Sequence, residues 1–194
     1  MSIFKFNEPL SIRNEFILNY LNKNEFFIVL GKTSSWDDTW GDNTNDSNPP
    51  LPSLYLDKIP EPFIYKRCEV VNPIIESSCK AGDLSFNECD KFELNGKIWI
   101  EIDYKNEEFI RSLEYKIRNY IVKVDITELE LVGINKFRAL GLLINPILEE
   151  GVSSNLITYR VDQIKEAGQL KLVSFFTPIT NNGQIINFSF IDSI

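Results

Sequence analysis

Apolar and polar positions change their period along this chain, and the changes outline its elements. Over residues 11–22 (SIRNEFILNYLN) Ile12, Phe16, Ile17, Tyr20 and Leu21 fall at the spacing of one helix face, with Ser11 placed as N-cap after Pro9. Residues 26–30 are an unbroken apolar run ended by Gly31, which predicts a buried strand. Residues 63–71 carry Ile64, Cys68, Val70 and Val71 and suit a strand, with Asn72-Pro73 expected to interrupt it. Residues 74–95 are mostly polar. Asn95-Gly96, set between Phe92-Glu93-Leu94 and Lys97-Ile98-Trp99-Ile100, predicts a hairpin, because both turn residues tolerate the positive φ of a tight two-residue loop. In the second arm Ile98, Ile100 and Ile102 share one face, which puts Trp99, Glu101 and Asp103 on the polar side.

Residues 107–118 place Phe109, Ile110, Leu113 and Ile117 at helical spacing. Residues 120–131 alternate as a strand with a break near Glu128, and residues 136–148 read as a buried strand turned by Asn145-Pro146. Two more strands are expected over 156–164 and 169–177, linked tightly at 165–168, and Asn181-Asn182-Gly183 turns the chain into a last strand at 184–191. Strands dominate and helices are few. The expected fold is mostly β, of α+β type: one compact antiparallel-sheet domain over residues 1–194 with an N-terminal helix.

The stretch from Gly31 to Ser53 fits neither period. It is a long polar loop, KTSSWDDTWGDNTNDSNPPLP, with Trp36 and Trp40 inside it and Pro49, Pro50 and Pro52 at its exit. Structureless loops of this length are uncommon in compact domains and are usually functional or disordered, and disordered tracts are poor in aromatics. Large aromatics on such a loop are frequent hot spots at protein interfaces. Trp36, Trp40, the semi-rigid Pro49, Pro50 and Pro52, and Trp99 are therefore the candidate protein-interface residues, with the loop pictured as an arm. Beyond it, Leu54, Tyr55 and Ile59 allow one or two helical turns, which Pro60 and Pro62 cut short.

Composition removes most chemistry. With no histidine in 194 residues, the usual nucleophile–base pairs and the commonest metal ligand are missing. Asp37, Asp38, Asp42 and Asp46 lie beside the tryptophans, which would suit a glycosidase, but four acids in one Asn-rich loop read more simply as solvated. Their spacing fails the alternation of an EF-hand calcium loop, and an irregular oxygen-ligand site stays a minor alternative. Cys68, Cys79 and Cys89 are an odd, widely spaced set, expected as free and mostly buried thiols. No catalytic residue, cofactor or metal is expected. A net charge of −8 argues against broad nucleic-acid binding. The absence of a long apolar run and of a signal-like N-terminus points to a soluble protein finished in the cytoplasm, away from membranes.

Several local motifs occur in a telling order. A strand ending in Gly31-Lys32 is followed by Thr/Ser, a Trp, an acidic-polar run and the exit Pro49-Pro50-Leu51-Pro52. Towards the other end come Phe137-Arg138, Ile144-Asn145-Pro146, a Gly168-Gln169 strand reaching Pro178, and an apolar last strand over 185–191. In these two ends the chain resembles a baseplate wedge subunit of contractile-tailed bacteriophages; residues 68–130 do not take part in the resemblance. It implies a structural virion protein with no catalytic site, which binds other baseplate wedge proteins and forms a homodimer. It also implies assembly in the host cytoplasm and residence in the tail baseplate. The neighbouring alternatives are another tail or neck adaptor and, from a different class, a carbohydrate-binding or hydrolytic tail protein.

Overall fold

A computed structural model describes residues 12, 14–77, 89–181 and 185–193. In chain order its elements are α1 (Glu15–Lys23), β1 (Phe26–Gly31), β2 (Ile64–Arg67), β3 (Val70–Glu76), β4 (Lys91–Leu94), β5 (Lys97–Glu101), α2 (Glu107–Ser112), β6 (Asn119–Ile126), β7 (Lys136–Ile144), β8 (Ile147–Leu148), β9 (Thr158–Arg160), β10 (Ile164–Glu166), β11 (Gln169–Thr180) and β12 (Ile186–Ser193). Among the described residues the fold is mostly β with antiparallel sheets and two α-helices, one of them N-terminal. Contacts group the chain into two units, one of residues 1–23, 70–123 and 189–194, the other of residues 24–69 and 124–188. No helix among the described residues is long and apolar enough to cross a membrane.

In the second unit β1 is the middle strand of a five-stranded sheet, order β11-β7-β1-β2-β9. All six β1 residues are buried, as an unbroken apolar run requires of a strand covered on both faces. Phe27, Val29, Ile59, Tyr65, Ala139, Leu143 and Tyr159 form its core cluster. β7 runs antiparallel to β1 from Phe26↔Ile144 to Gly31↔Ala139. Asn145 then takes a positive φ of 53° and its side-chain oxygen accepts the Glu25 N–H at 2.8 Å, so the turn before Pro146 also closes the end of β1.

In the first unit the sheet order is β12-β6-β3-β5-β4. Asn95 and Gly96 have φ of 54° and 73° between the facing pair Leu94↔Lys97, the tight two-residue turn the sequence predicts. Asn14, 1% exposed, ties the helical side together: its amide donates to Ile110 O and its carbonyl oxygen accepts the Ile117 N–H, both at 2.8 Å. Arg111 adds ion pairs to Glu15 at 2.5 Å and Glu107 at 2.7 Å.

Several expectations are corrected here. The buried face of α1 is Ile17, Leu18 and Leu21, while Phe16 is 63% exposed, so the buried stripe is centred on Leu18 rather than on Phe16 and Tyr20. Ser11 lies outside the described residues. The helix at 107 lasts six residues: Leu113 turns extended (ψ 131°), although Ile110, Leu113 and Ile117 are all buried as their spacing suggests. The strand expected over 63–71 is two strands, broken at Cys68-Glu69 rather than at Asn72-Pro73. Pro73 stays inside β3, where its missing N–H is tolerated and its carbonyl accepts the Ile102 N–H at 2.9 Å. The strand expected over 156–164 is split by a 3-10 turn at Val161–Gln163. The turn at Asn181-Asn182-Gly183 falls partly outside the described residues.

Candidate functional site

The long loop is built from its ends inward. β1 ends on Gly31, where the chain at 59–61 leaves no room for a side chain: a Cβ there would lie 2.3 Å from Pro60 O and 2.5 Å from Ile59 Cγ2. Lys32 follows with a positive φ of 56°, its N–H bonded to Pro60 O at 2.8 Å. Its ammonium, on a residue 3% exposed, pairs with Glu61 at 2.9 Å and lies 5.4 and 5.6 Å from the Trp36 and Trp40 ring centroids. Glu61 also accepts the Ser34 N–H at 3.0 Å and the Ser34 hydroxyl at 2.6 Å. Burial would raise the Glu61 carboxyl, but the Ser34 hydroxyl and the Lys32 ammonium outweigh it and hold it at about 2.

A second tie comes from β7. Arg138, 3% exposed, reaches Asp46 through Nε at 2.6 Å and Nη2 at 2.7 Å, and donates to Thr33 O at 2.7 Å. Planar guanidinium matches carboxylate in this two-bond fork, which fixes direction as well as distance. Asp46 further accepts the Trp36 N–H at 3.1 Å, and the Arg138 bonds above all hold its carboxyl near 2.

These ties correct the picture of an arm for the first half of the loop. Trp36 is 3% exposed; its Nε1–H donates to Phe176 O at 3.2 Å and its ring packs against Phe175, centroids 4.8 Å apart. Trp40 is half-buried, edge-on to Trp36 at 5.1 Å and to Phe175 at 5.9 Å. Trp36 is thus spent inside its own unit, and β11, 140 residues later, supplies the partner that no local pattern announced. The four aspartates also part company. Asp37 caps the 3-10 turn Asp38–Trp40, its carboxyl lowered chiefly by the Thr39 hydroxyl and then the Thr39 N–H; Asp46 pairs with Arg138; Asp38 and Asp42 face solvent. Among the described residues no three acidic or cysteine side chains converge as a metal centre requires.

The second half of the loop is different. Asn45 and Asn48 bridge each other through backbone bonds of 3.2 and 3.0 Å, and Pro49, Pro50 and Pro52 follow half-buried. Beyond that brace Leu51 is 93% exposed, Leu54 99% and Tyr55 95%, before Ile59 returns to the core at 3%. Three large apolar side chains within five positions are held almost wholly in water, between two anchored points. Exposed apolar residues are ordinary singly and informative when contiguous. The helical turns expected for Leu54, Tyr55 and Ile59 do not form: residues 54–55 make a single non-helical turn, and the chain runs on irregularly to Ile59.

Trp99, on the other unit, is half-buried between its cross-strand neighbours Phe92 and Glu76, with Lys97 Nζ 6.0 Å from its ring centroid. It borders an open groove of about 520 Å³ with Ile75, Tyr115 and Arg118. The face expected to be solvated is not uniformly so. Glu101 is 7% exposed and bonded to Asn72 at 2.8 Å and to Lys123, whereas Ile98 on the apolar face is 53% exposed. Cys68 is buried, and burial pushes its thiol up to about 12, so it is an inert core group; Cys89 is half-buried and Cys79 lies outside the described residues. No model of a known protein family matches this chain, and no curated protein matches it either.

Proposed function

We infer that this protein is a structural subunit of a phage tail baseplate, a wedge component that binds neighbouring wedge proteins and performs no catalysis. The observation that carries the reading is the exposure of Leu51, Leu54 and Tyr55 on a segment whose root is fixed by the Lys32–Glu61 and Arg138–Asp46 pairs. A pre-ordered apolar segment loses little freedom on docking, which is what a repeating assembly contact needs. The order of motifs at the two ends of the chain adds the choice of assembly. On this reading the protein is assembled in the host cytoplasm and resides in the baseplate of the virion.

The test is fractionation of tails from the particle that encodes the chain. Mass spectrometry is expected to find the protein in isolated baseplates and not in necks. A variant with Leu51, Leu54 and Tyr55 all changed to Ser is expected to fold normally and be lost from them. Recovery in neck fractions, or incorporation of the triple variant at wild-type yield, sinks the reading. A second reading, a glycan-binding tail protein, is favoured by the Trp99 and Tyr115 groove. It requires that host-surface glycan change the fluorescence of the wild type and not of Trp99→Ala.

A further inference from the structure

We propose that the groove beside Trp99 binds an acidic oligosaccharide, a run of sugar rings that carry carboxylates, as a uronic-acid oligomer does. This rests on the glycan-binding reading of that groove and names its class of sugar; it is independent of residence in a baseplate.

Strand register builds the floor of the groove. Ile74 of β3 faces Asn119 of β6, and Glu76 of β3 faces Trp99 of β5. Side chains alternate along a strand, so Ile74, Glu76, Trp99 and Asn119 share one face of the sheet. From Trp99 to Asn119 is two strand spacings across and two residues along, about 12 Å, more than one sugar ring spans. The pairing of β3 with β6 ends at Ile74↔Asn119, and residues 114–118, just before β6, form the wall. That wall is fixed in place: Ile117 is 4% exposed and its N–H donates to Asn14 Oδ1 at 2.8 Å. The groove of about 520 Å³ is thus formed before any ligand arrives, and its size is that of a ligand site.

Polar groups and charge give the groove its selectivity. Lys32, Asp46, Glu61, Glu101 and Arg138 are all spent on partners within the protein. In the groove, by contrast, the Trp99 indole N–H, the Arg118 guanidinium and the Asn119 amide have no partner among the described residues. Glu76 is paired with Lys97 at 2.8 Å, and Glu114 and Lys116 on the wall offset each other in sign, which leaves the Arg118 charge in excess. A local positive charge on a chain of net charge −8 favours an anionic ligand, and guanidinium meets carboxylate in a two-bond fork. The half-buried Trp99 and the 39% exposed Tyr115 add aromatic surface for the apolar C–H face of a sugar ring. A peptide is served less well. It gains affinity by joining a ladder, and here Ile75 and Glu76 are already paired with Ile100 and Trp99, and Ile74 with both its neighbours.

The test is isothermal titration calorimetry on the full-length protein. Oligomers of galacturonate, alginate and hyaluronan are set beside methyl-esterified oligogalacturonate, dextran and polyglutamate. At least one acidic oligosaccharide is expected to bind saturably, roughly tenfold or more tightly than the uncharged sugars, and less tightly as salt rises. Arg118→Gln, at an exposed position, is expected to keep the wild-type melting curve, weaken that binding about tenfold and leave the uncharged sugars as they were. Trp99→Ala is expected to abolish binding; if it melts early, Trp99→Phe and Tyr115→Ala take its place, each with weakened binding. Uncharged sugars bound as tightly as acidic ones, or Arg118→Gln without effect, overturn the proposal and leave a neutral-glycan site. Polyglutamate bound as tightly as the acidic sugars overturns it in favour of an acidic peptide. No binding by any sugar removes the proposal and the glycan-binding reading together, and none of these results touches recovery of the protein in baseplates.

Discussion

Trp36→Ala should destabilise the isolated protein strongly, and the size follows from its surroundings. Its ring is 3% exposed, packed on Trp40 and Phe175, and bonded through Nε1 to Phe176 O. Removing a buried indole withdraws on the order of 200 Å² of apolar contact, about 5 kcal/mol at 25 cal/mol per Å². Alanine keeps the Cβ, and the half-buried Trp40 can lean into part of the space, which brings the expected loss to about 3–4 kcal/mol, within the usual range for Trp→Ala in a core. For a chain of this length that is a drop of roughly 6–16 °C in melting temperature. Differential scanning calorimetry resolves this even where the two units melt separately. Trp36→Phe should recover about half of the loss, keeping ring contact and losing the hydrogen bond. Leu54→Ser, at a position 99% exposed, is the control and should stay within about 0.5 kcal/mol. If Trp36→Ala melts within about 1 °C of wild type, the indole is not a core group and the anchored-loop account fails.

Asp46→Ala should cost about 3–5 kcal/mol, because it strands the buried Arg138 charge, whereas Arg138→Met should cost less; equal losses in urea unfolding would mean that the charge is solvated after all. Acid should weaken the second unit. The folded Asp46 and Glu61 carboxyls sit at about 2, below their ordinary 3.8 and 4.5, so their stabilisation is complete above pH 4.5 and lost as pH falls toward 2. Asp46→Asn with Glu61→Gln should flatten that part of a pH–melting profile. Gly31→Ala should be strongly destabilising although its φ is ordinary, since the new Cβ meets Pro60 O at 2.3 Å; unchanged thermal unfolding would place the 59–61 segment elsewhere. Thiol labelling at mild alkaline pH should modify Cys89 and spare Cys68 until the protein is denatured.

What the sequence determined by itself was whatever short-range pattern specifies. The apolar run at 26–30 became a fully buried strand because five successive apolar residues leave no face for water. Asn95-Gly96 became a two-residue turn because both accept positive φ, and Asn145-Pro146 ended β7 where expected. These are decisions taken within a few residues, and they sufficed for the mostly β class. Only the tertiary structure decided which side chains of the loop would be buried. Trp36 meets Phe175 and Phe176, Asp46 meets Arg138, and Lys32 meets Glu61, across separations of 140, 92 and 29 positions. Local composition made tryptophans among aspartates look solvated, yet desolvation depends on what the far strand brings. The exposure of Leu51, Leu54 and Tyr55 was fixed in the same way, by the anchoring of Ile59 and the Asn45–Asn48 brace on either side of them. A residue's hydropathy states what burial would gain, and only the packed chain states whether anything is there to bury it.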